Sequence, residues 1–187
     1  ITTIGSKSKE QEQFVRKQLS SKVKLCAINL KNRPITKKTR FIDSSYMRKM
    51  FEVYDMDDSP VEEKEEKKII LAIKKYLLKV DLVIITDFGH GLLSQKIINE
   101  ISKSKTFLAI NAQTNSANRG YNLITKYKNA DYICIDEPEF RLAMHDKNTP
   151  LKKLLLNSGN LPKSKVLIVT TGKNGFLNKK KKEIIEI

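Results

Sequence analysis

Between residues 82 and 170, short apolar runs alternate with segments of helical periodicity, and this alternation limits the possible fold more than any other feature. The runs are Leu82–Thr86, Phe107–Ile110, Asp131–Ile135 and Val166–Thr170. Strands that alternate with helices predict a mainly parallel sheet. Almost continuously apolar strands predict a sheet that is covered on both faces. The sequence therefore predicts an α/β layer structure.

The predicted helices lie between and before these strands. They are Lys9–Leu19, a helix capped at Ser59-Pro60-Val61-Glu62 with apolar positions up to Val80, Ser94–Lys103, Glu137–His145 and Leu151–Leu156. Ser59 has the residue type of an N-cap, Pro60 suits a first turn, and Glu62 completes a capping box. Two further strands are predicted near the start of the chain, at Ile1–Ile4 and Val23–Leu30.

Two hairpins are also predicted. Alternating runs at Ile35–Ile42 and Met47–Tyr54 flank Asp43-Ser44-Ser45, which is a hairpin signal. Alternation implies one solvated face, so residues 34–55 are predicted as a β excursion that stands off the main sheet. Phe176–Leu177 and Ile184–Ile187 predict an antiparallel edge hairpin, with Lys179–Lys182 as its solvated loop.

Composition limits the class of protein. The 187 residues are 40% hydrophobic, enough for one domain with a core. The net charge of +15 attracts anionic ligands. The lysines are scattered without interleaved aromatic residues, however, which favours a solvated basic surface over a nucleic-acid interface. Cys26 and Cys134 lie in apolar contexts and indicate buried thiols of a reducing, cytoplasmic compartment. No apolar run reaches the ~20 residues that span a bilayer.

Two strand ends carry motifs that suit phosphate chemistry. Thr171-Gly172-Lys173-Asn174-Gly175 follows an apolar strand, and its backbone N–H groups and Thr hydroxyl would suit a nucleotide phosphate. A plain tight turn needs the same Gly and Asn residues and is favoured by spacing alone. Asp136-x-x-Glu139 would place two carboxylates beside water-bridged Mg²⁺, or would form a capping box. Locally the capping box is the stronger interpretation.

Two further loops are rich in polar groups. In Asp87-Phe88-Gly89-His90-Gly91, the glycines permit an unusual loop in which His90 contacts an anion or is incidental. The segment Asn111–Asn115 and the triplet Asn118-Arg119-Gly120 suit a hydroxyl-rich or phosphate ligand, and equally suit Asx turns that satisfy their own backbone. Neither histidine has the spacing of a metal site.

In this order, the motifs resemble those of the ribokinase-like (phosphofructokinase-B type) carbohydrate kinases, nearest to the heptose-phosphate kinases that act in ADP-heptose synthesis. The matching residues are Arg33-Pro34-x-Thr36-x-x-Thr39-Arg40, Asp87–Gly91, Asn111, Asp136-x-x-Glu139 and Thr171-Gly172-x-x-Gly175. The family usually has Asn at the position of Asp136. The resemblance covers most of the chain. It implies a Rossmann-type three-layer sandwich with a mainly parallel sheet and a β-hairpin lid.

The resemblance also implies an activity and residue roles. The family transfers the γ-phosphoryl group of ATP to a sugar or sugar-phosphate hydroxyl with Mg²⁺. Carried over, the metal side would hold Asp136 and Glu139, and the nucleotide side Thr171, Gly172, Gly175 and Asn111. The sugar side would hold Arg40, Asp87, Gly89, His90 and Arg119. The lid is often also a homodimer contact.

Two family segments have no match here: the Gly-Ala-Gly-Asp that carries the catalytic base, and the sugar-binding Gly-Gly-x-x-Asn. The chain also begins without Met. We therefore expect residues 1–187 to be the centre of a single incomplete kinase domain, with no catalytic base and no activity alone. Such kinases can be fused to a nucleotidyltransferase domain. A non-catalytic module that binds a nucleotide or sugar phosphate is the alternative, and nucleic acid is not an expected partner.

Overall fold

A computed structural model describes residues 1–5, 9–114, 118–181 and 183–187. The chain separates into two compact units. The first contains Ile1–Ile73 and His90–Leu92, and the second contains Lys74–Gly89 and Leu93–Ile187. Because of this division, the assignment of residues 1–187 to a single domain stays a prediction.

The first unit begins with two short parallel strands. Strand β1 (Thr2–Gly5) pairs with β2 (Ala27–Leu30), and helix α1 (Lys9–Gln18) precedes β2 in the chain. The strand predicted from Val23 begins four residues later, because the Val23 N–H turns back to the Ser20 carbonyl. A side chain at Gly5 would lie 2.5 Å from the Arg33 carbonyl oxygen, so this glycine permits a close backbone approach.

The predicted hairpin is present in the first unit. Strands β3 (Lys37–Asp43) and β4 (Arg48–Asp55) pair antiparallel, with a register shift after Phe41. Among the described residues, these strands form a sheet of their own. The rings of Phe41 and Phe51 stack with centroids 4.4 Å apart, although both side chains remain exposed. The prediction of a β excursion outside the main sheet is therefore confirmed.

Helix α2 (Glu63–Leu77) begins later than the sequence predicts. The Arg33 guanidinium donates to the carbonyl oxygens of Ser59 (2.8 Å) and Pro60 (2.5 Å). The Ser59 hydroxyl donates to the Asp57 carboxylate. The predicted cap at Ser59 is wrong because these contacts hold residues 59 and 60 outside the helix. Val80, predicted as a helix position, follows the last turn.

The described part of the second unit is built on a six-stranded sheet in the order β10-β9-β8-β7-β6-β5. Four strands are parallel: β5 (Leu82–Asp87), β6 (Phe107–Ala112), β7 (Tyr132–Asp136) and β8 (Val166–Thr170). The antiparallel edge consists of β9 (Phe176–Lys180) and β10 (Glu183–Glu186). The helices are α3 (Gln95–Ser102), α4 (Glu137–Met144) and α5 (Leu151–Leu156). The predicted mainly parallel α/β sheet is confirmed.

One face of this sheet holds the core. The alternate strand residues on that face are buried: Ile85, Leu108, Ile110, Ile133, Ile135, Leu167, Val169 and Leu177. The helix residues Ile97 and Phe140 are buried with them. The other face is partly exposed, and Ile84 at 66% is its most exposed apolar member. We call it the open face, and its apolar residues are Leu82, Ile84, Phe107, Ala109, Tyr132, Cys134, Val166, Ile168 and Phe176.

Lys179 does not lie in a solvated loop, contrary to the sequence prediction. It belongs to β9, and its ammonium donates to the Leu155 carbonyl oxygen (2.7 Å) and to the Ser158 hydroxyl (2.8 Å). Desolvation lowers the pKa of this lysine. A cation at a helix C-terminus is favourable, so Lys179 fastens the end of α5 to the sheet. Lys182 lies outside the described residues.

Cys26 and Cys134 are free thiols, as predicted, but both are half-buried rather than buried. Desolvation raises the pKa of the Cys134 thiol. Over the described residues, every helix is too short or too polar to cross a membrane.

Candidate functional site

The polar strand ends of the second unit lie along one edge of the sheet. Asp87 is in register with Ala112 and Thr86 with Asn111, while Asp136 is in register with Thr170. The stretches around residues 87, 111, 136 and 171 therefore meet at the carboxyl edge of the parallel strands. In open α/β sheets, ligands bind at this edge.

Asp87 ends β5 and is only 4% exposed. Its Oδ1 accepts a hydrogen bond from the Gly89 N–H (3.0 Å). Its Oδ2 accepts one from the Tyr127 hydroxyl (2.7 Å) and forms an ion pair with the Lys126 ammonium. Burial raises the pKa of the Tyr127 phenol well above its usual range, and the negative charge of Asp87 is the second largest cause of this shift. The carboxylate thus faces inward and shapes the turn at residues 87–89.

Asp136 and Glu139 form the capping box at the start of α4. The Asp136 Oδ1 accepts from the Glu139 N–H (2.7 Å), and the Glu139 Oε2 accepts from the Asp136 N–H (3.0 Å). The Glu139 Oε1 accepts from the Thr114 N–H (2.9 Å). Burial raises the pKa of the Glu139 carboxyl, and the two N–H donors act in the opposite direction. The capping box, the locally stronger interpretation of this motif, is therefore confirmed. Both carboxylates lie at the carboxyl edge of the sheet.

Asn111 bridges two strands. Its Nδ2 donates to the Cys134 carbonyl oxygen (2.8 Å), which fixes the side chain between β6 and β7. The polar loop beyond it also bonds to the protein's own backbone, since the Asn118 Nδ2 donates to the Phe88 carbonyl oxygen (2.9 Å). Asn115 lies outside the described residues. These amides therefore shape the edge, in line with the backbone-satisfying alternative.

Thr171–Gly175 connects β8 to β9. The N–H and the hydroxyl of Thr171 both donate to the Gly175 carbonyl oxygen, each over 2.9 Å. Gly172 and Gly175 have φ angles of 62° and 86°, which glycine adopts without strain. A Cβ at Gly175 would lie 1.9 Å from the Ile187 carbonyl oxygen, whereas a Cβ at Gly172 would meet nothing within 4 Å. Gly175 therefore serves the turn, while open space remains beside Gly172.

Arg119 lies at a pocket of about 510 Å³ on the second unit. The other residues that line it are Glu137, Pro138, Arg141, Leu142, His145, Asp146 and Lys147. Arg141 pairs with Glu137 (2.8 Å) and also donates to the Thr149 carbonyl oxygen (2.9 Å). With three Arg or Lys cations against two carboxylates, the pocket carries an excess of positive charge.

Arg40 and His90 belong to the first unit. The Arg40 guanidinium pairs with the Glu52 carboxylate across the hairpin (2.6 Å). His90 is half-buried between two glycines with positive φ. A Cβ at Gly91 would lie 1.9 Å from the Ser59 carbonyl oxygen, so the loop around His90 depends on glycine.

The sequence analysis missed Asn122, Lys126 and Tyr127, which surround Asp87. They lie 35 to 40 positions beyond it, in a segment with little regular structure. No local pattern in the sequence marks them, because their partner Asp87 is distant in the chain.

Comparisons with known proteins agree with this geometry. No protein-family model matches the chain. Over 104 residues, 54% of the chain, it is 32% identical to the bifunctional protein HldE of Aliarcobacter butzleri (strain RM4018). Over 116 residues it is 28% identical to the bifunctional protein HldE of Wolinella succinogenes. These matches span 21% and 23% of the relatives' length, about a fifth of each.

Among solved structures, ribokinase from Giardia lamblia superposes with a TM-score of 0.72 at 16% identity. The superposition covers all of this chain and 61% of the ribokinase chain. The chain therefore has the ribokinase-like α/β fold over part of that fold's length. The predicted resemblance to ribokinase-like carbohydrate kinases, nearest to the heptose-phosphate kinases, is confirmed.

Proposed function

We propose that these residues form the central part of an ATP-dependent carbohydrate kinase that phosphorylates a sugar or sugar-phosphate hydroxyl, of the heptose-phosphate kinase type. The observation that carries the proposal is the carboxyl edge, where Asp87, Asn111, Asp136 and Thr171 lie in a row on a ribokinase-like sheet. Phosphoryl transfer depends mainly on positioning and charge neutralisation, and such an edge supplies both.

The nucleotide side is assigned to Asn111, Thr171, Gly172 and Gly175. Within the described residues, the N–H groups of Gly172 and Lys173 donate to no acceptor, and the space beside Gly172 is open. Successive free N–H groups in a turn form a concavity that binds anions. The Thr171 hydroxyl is already donated to Gly175, so Thr171 acts by holding the turn in shape.

The metal side is assigned to Asp136 and Glu139, through water. Among the described residues, no cluster of three His, Cys, Asp or Glu side chains is placed to hold a metal ion. The exposed Asp136 carboxylate suits a Mg²⁺ ion that keeps several of its waters and is also held by substrate phosphates, as is usual in kinases. Both carboxylate oxygens of Glu139 accept hydrogen bonds from backbone N–H groups, so Glu139 acts by orienting Asp136. When bound, Mg²⁺·ATP supplies the phosphoryl group and offsets its charge.

The acceptor-side assignments are Asp87, Gly89 and Arg119 on the second unit, and Arg40 and His90 on the first. Asp87 acts through the Gly89 turn, because its own oxygens are already bonded. The excess positive charge of the Arg119 pocket suits the phosphate of a phosphorylated sugar.

The partners follow from the same assignment. We propose that the hairpin β3–β4 closes over the sugar and pairs two copies through its exposed Phe41 and Phe51 rings. A nucleotidyltransferase domain in the same polypeptide is proposed from the similarity to bifunctional relatives. The free thiols support a cytoplasmic location.

The test is transfer of labelled γ-phosphate from ATP to sugar phosphates by the full-length polypeptide that contains these residues. Asp136→Ala should lower kcat/KM by about 10- to 100-fold, the usual effect of losing an outer-sphere carboxylate. The control Glu186→Ala removes a carboxylate on β10 and should leave the rate unchanged. Nucleotide binding without transfer would support the binding-module alternative. No transfer and no binding would refute both.

A further inference from the structure

The segment that precedes β7 presents its polar side chains to Asp87. Residues Ile124–Lys126 form a 3-10 turn, and the buried Ile124 anchors it. Asn122 and Tyr127 are buried on either side of that turn. A buried polar side chain requires hydrogen-bond partners, and each of these has them at the carboxyl edge.

Both the nitrogen and the oxygen of the Asn122 side-chain amide form hydrogen bonds. Its Nδ2 donates to the backbone oxygens of Asp87 and Gln113, each over 3.0 Å. Its Oδ1 accepts from the Lys126 ammonium (2.6 Å). An ammonium only donates and a carbonyl oxygen only accepts, so Lys126 and the two carbonyl oxygens together fix which end of the amide holds the oxygen. The NH₂ group is therefore directed at the ends of two strands.

Lys126 joins two groups that need a cation or a donor. Its ammonium contacts both the Asp87 Oδ2 and the Asn122 Oδ1. An apolar side chain at this position would leave the buried Asp87 carboxylate without its counter-charge. It would also leave the Asn122 Oδ1 without its ammonium donor. A buried charge that has lost its partner is strongly unfavourable.

The same bonds continue to the start of α4. The Thr114 hydroxyl donates to the backbone carbonyl oxygen of Asn122 (3.1 Å). The Thr114 N–H donates to the Glu139 carboxylate. Glu139 in turn holds the Asp136 N–H. We call Asp87, Asn122, Lys126, Thr114 and Glu139 the rim network. It runs without a break from the end of β5 to the cap of α4.

We propose that Lys126 is a positioning residue that couples the turn at Asp87 to the cap at Asp136 through the rim network. The functional meaning rests on the proposed kinase activity, in which these are the acceptor side and the metal side. Lys126 lies on neither side itself and acts through Asp87 and Asn122. A misplacement of about 1 Å between reacting groups costs about 100-fold in rate, so a fixed spacing matters.

The test is amide hydrogen exchange by NMR on the 187-residue chain. In Lys126→Met, exchange of the Gly89, Thr114 and Asp136 N–H groups should rise by about 10-fold or more, because their acceptors lose their support. The Leu167 and Val169 amides, in the neighbouring strand β8, should not change. The matched control is Lys128→Met, the same substitution at an exposed lysine two residues away. Lys126→Arg keeps the charge and the donors and should restore protection.

Three results would overturn the proposal. The first is equal exchange in Lys126→Met and Lys128→Met. The second is a rise confined to Gly89, which would mean that nothing is transmitted to α4. The third is loss of protection throughout the second unit in both Lys126→Met and Lys126→Arg, which would show a general structural role. Because exchange needs no activity, failure of the kinase proposal leaves this test intact. In an active full-length protein, Lys126→Met should lower kcat with little change in KM for ATP.

Discussion

At the scale of single residues, Asp87 shows how a buried charge is accommodated. Its carboxylate has an ammonium, a phenol and a backbone N–H as partners. Transfer of an ionised carboxylate out of water is costly unless it is paired and hydrogen-bonded. Each partner is therefore expected to contribute measurably to stability, and the Tyr127 hydroxyl is the contact that is simplest to remove.

Tyr127→Phe should lower the free energy of unfolding by about 1.5–3 kcal/mol, the usual value for a hydrogen bond to a charged group. The matched control is Tyr121→Phe, because Tyr121 is 91% exposed. Urea denaturation at pH 7 measures both. The raised pKa of the phenol adds a pH dependence. Its stabilisation is complete below the ordinary tyrosine pKa of 10.0 and is lost as the pH rises further. Equal stabilities of the two variants would contradict the assignment.

Local contacts at the site are predictable from sequence, and distant ones are not. The Asp136–Glu139 box is specified by residues three positions apart, so its pattern is visible in the sequence. The partners of Asp87 lie 39 and 40 positions away and are brought to it only by the sheet. No short-range pattern distinguishes Lys126 from the many other lysines of this chain.

At the scale of elements, the β3–β4 hairpin carries a charged cluster. Glu52 accepts from the Arg40 guanidinium and from the Tyr54 hydroxyl (both 2.6 Å), and Lys49 lies 3.4 Å away. The Tyr54 hydroxyl first, and then Arg40, lower the pKa of Glu52 to about 2. A two-stranded hairpin is marginally stable by itself, so these cross-strand contacts bear on its order.

Carboxylate ¹³C NMR should therefore show Glu52 titrating with a midpoint near pH 2. Since the folded pKa is depressed, the Glu52 contribution to hairpin stability is present above its ordinary pKa of 4.5 and is lost as the pH falls toward 2. Tyr54→Phe should move the midpoint upward. Tyr46→Phe, in the exposed turn of the same hairpin, should leave it in place. An ordinary midpoint in the unsubstituted chain would refute the cluster.

The elements that the sequence predicts best are those whose ends are decided locally. Leu151–Leu156 and Val166–Thr170 have the predicted bounds, and Ser94 caps α3 as expected. The start of α2 could not be predicted, because it is decided by Arg33. That side chain holds the Ser59 and Pro60 carbonyls from 26 and 27 positions away.

At the scale of the whole molecule, the open face of the sheet is the main departure from an ordinary protein surface. Apolar side chains extend from β5 to β9 on that face, and the Lys165 ammonium lies 5.9 Å from the centroid of the Phe107 ring. An exposed apolar surface of this kind takes up apolar probe molecules. The net charge of +15 favours solubility.

The folded chain should therefore bind an apolar fluorescent dye such as anilinonaphthalene sulfonate. Ile84→Ser should weaken the fluorescence while changing the unfolding free energy by only about 0.5 kcal/mol, as for most surface substitutions. The matched control is Leu78→Ser, because Leu78 is 88% exposed and lies outside the sheet. Equal dye binding by both variants, or none by the unsubstituted chain, would show that the open face is not a continuous apolar surface.

From β6 to β10, each strand pairs with the strand that precedes it in the chain. A polypeptide emerging from the ribosome would thus add each new strand to an edge that already exists. No strand in this series waits for a partner made later, so the layer can be built in the order of translation. Sheets whose neighbours are distant in sequence lack this option and close long loops before any pairing rewards them.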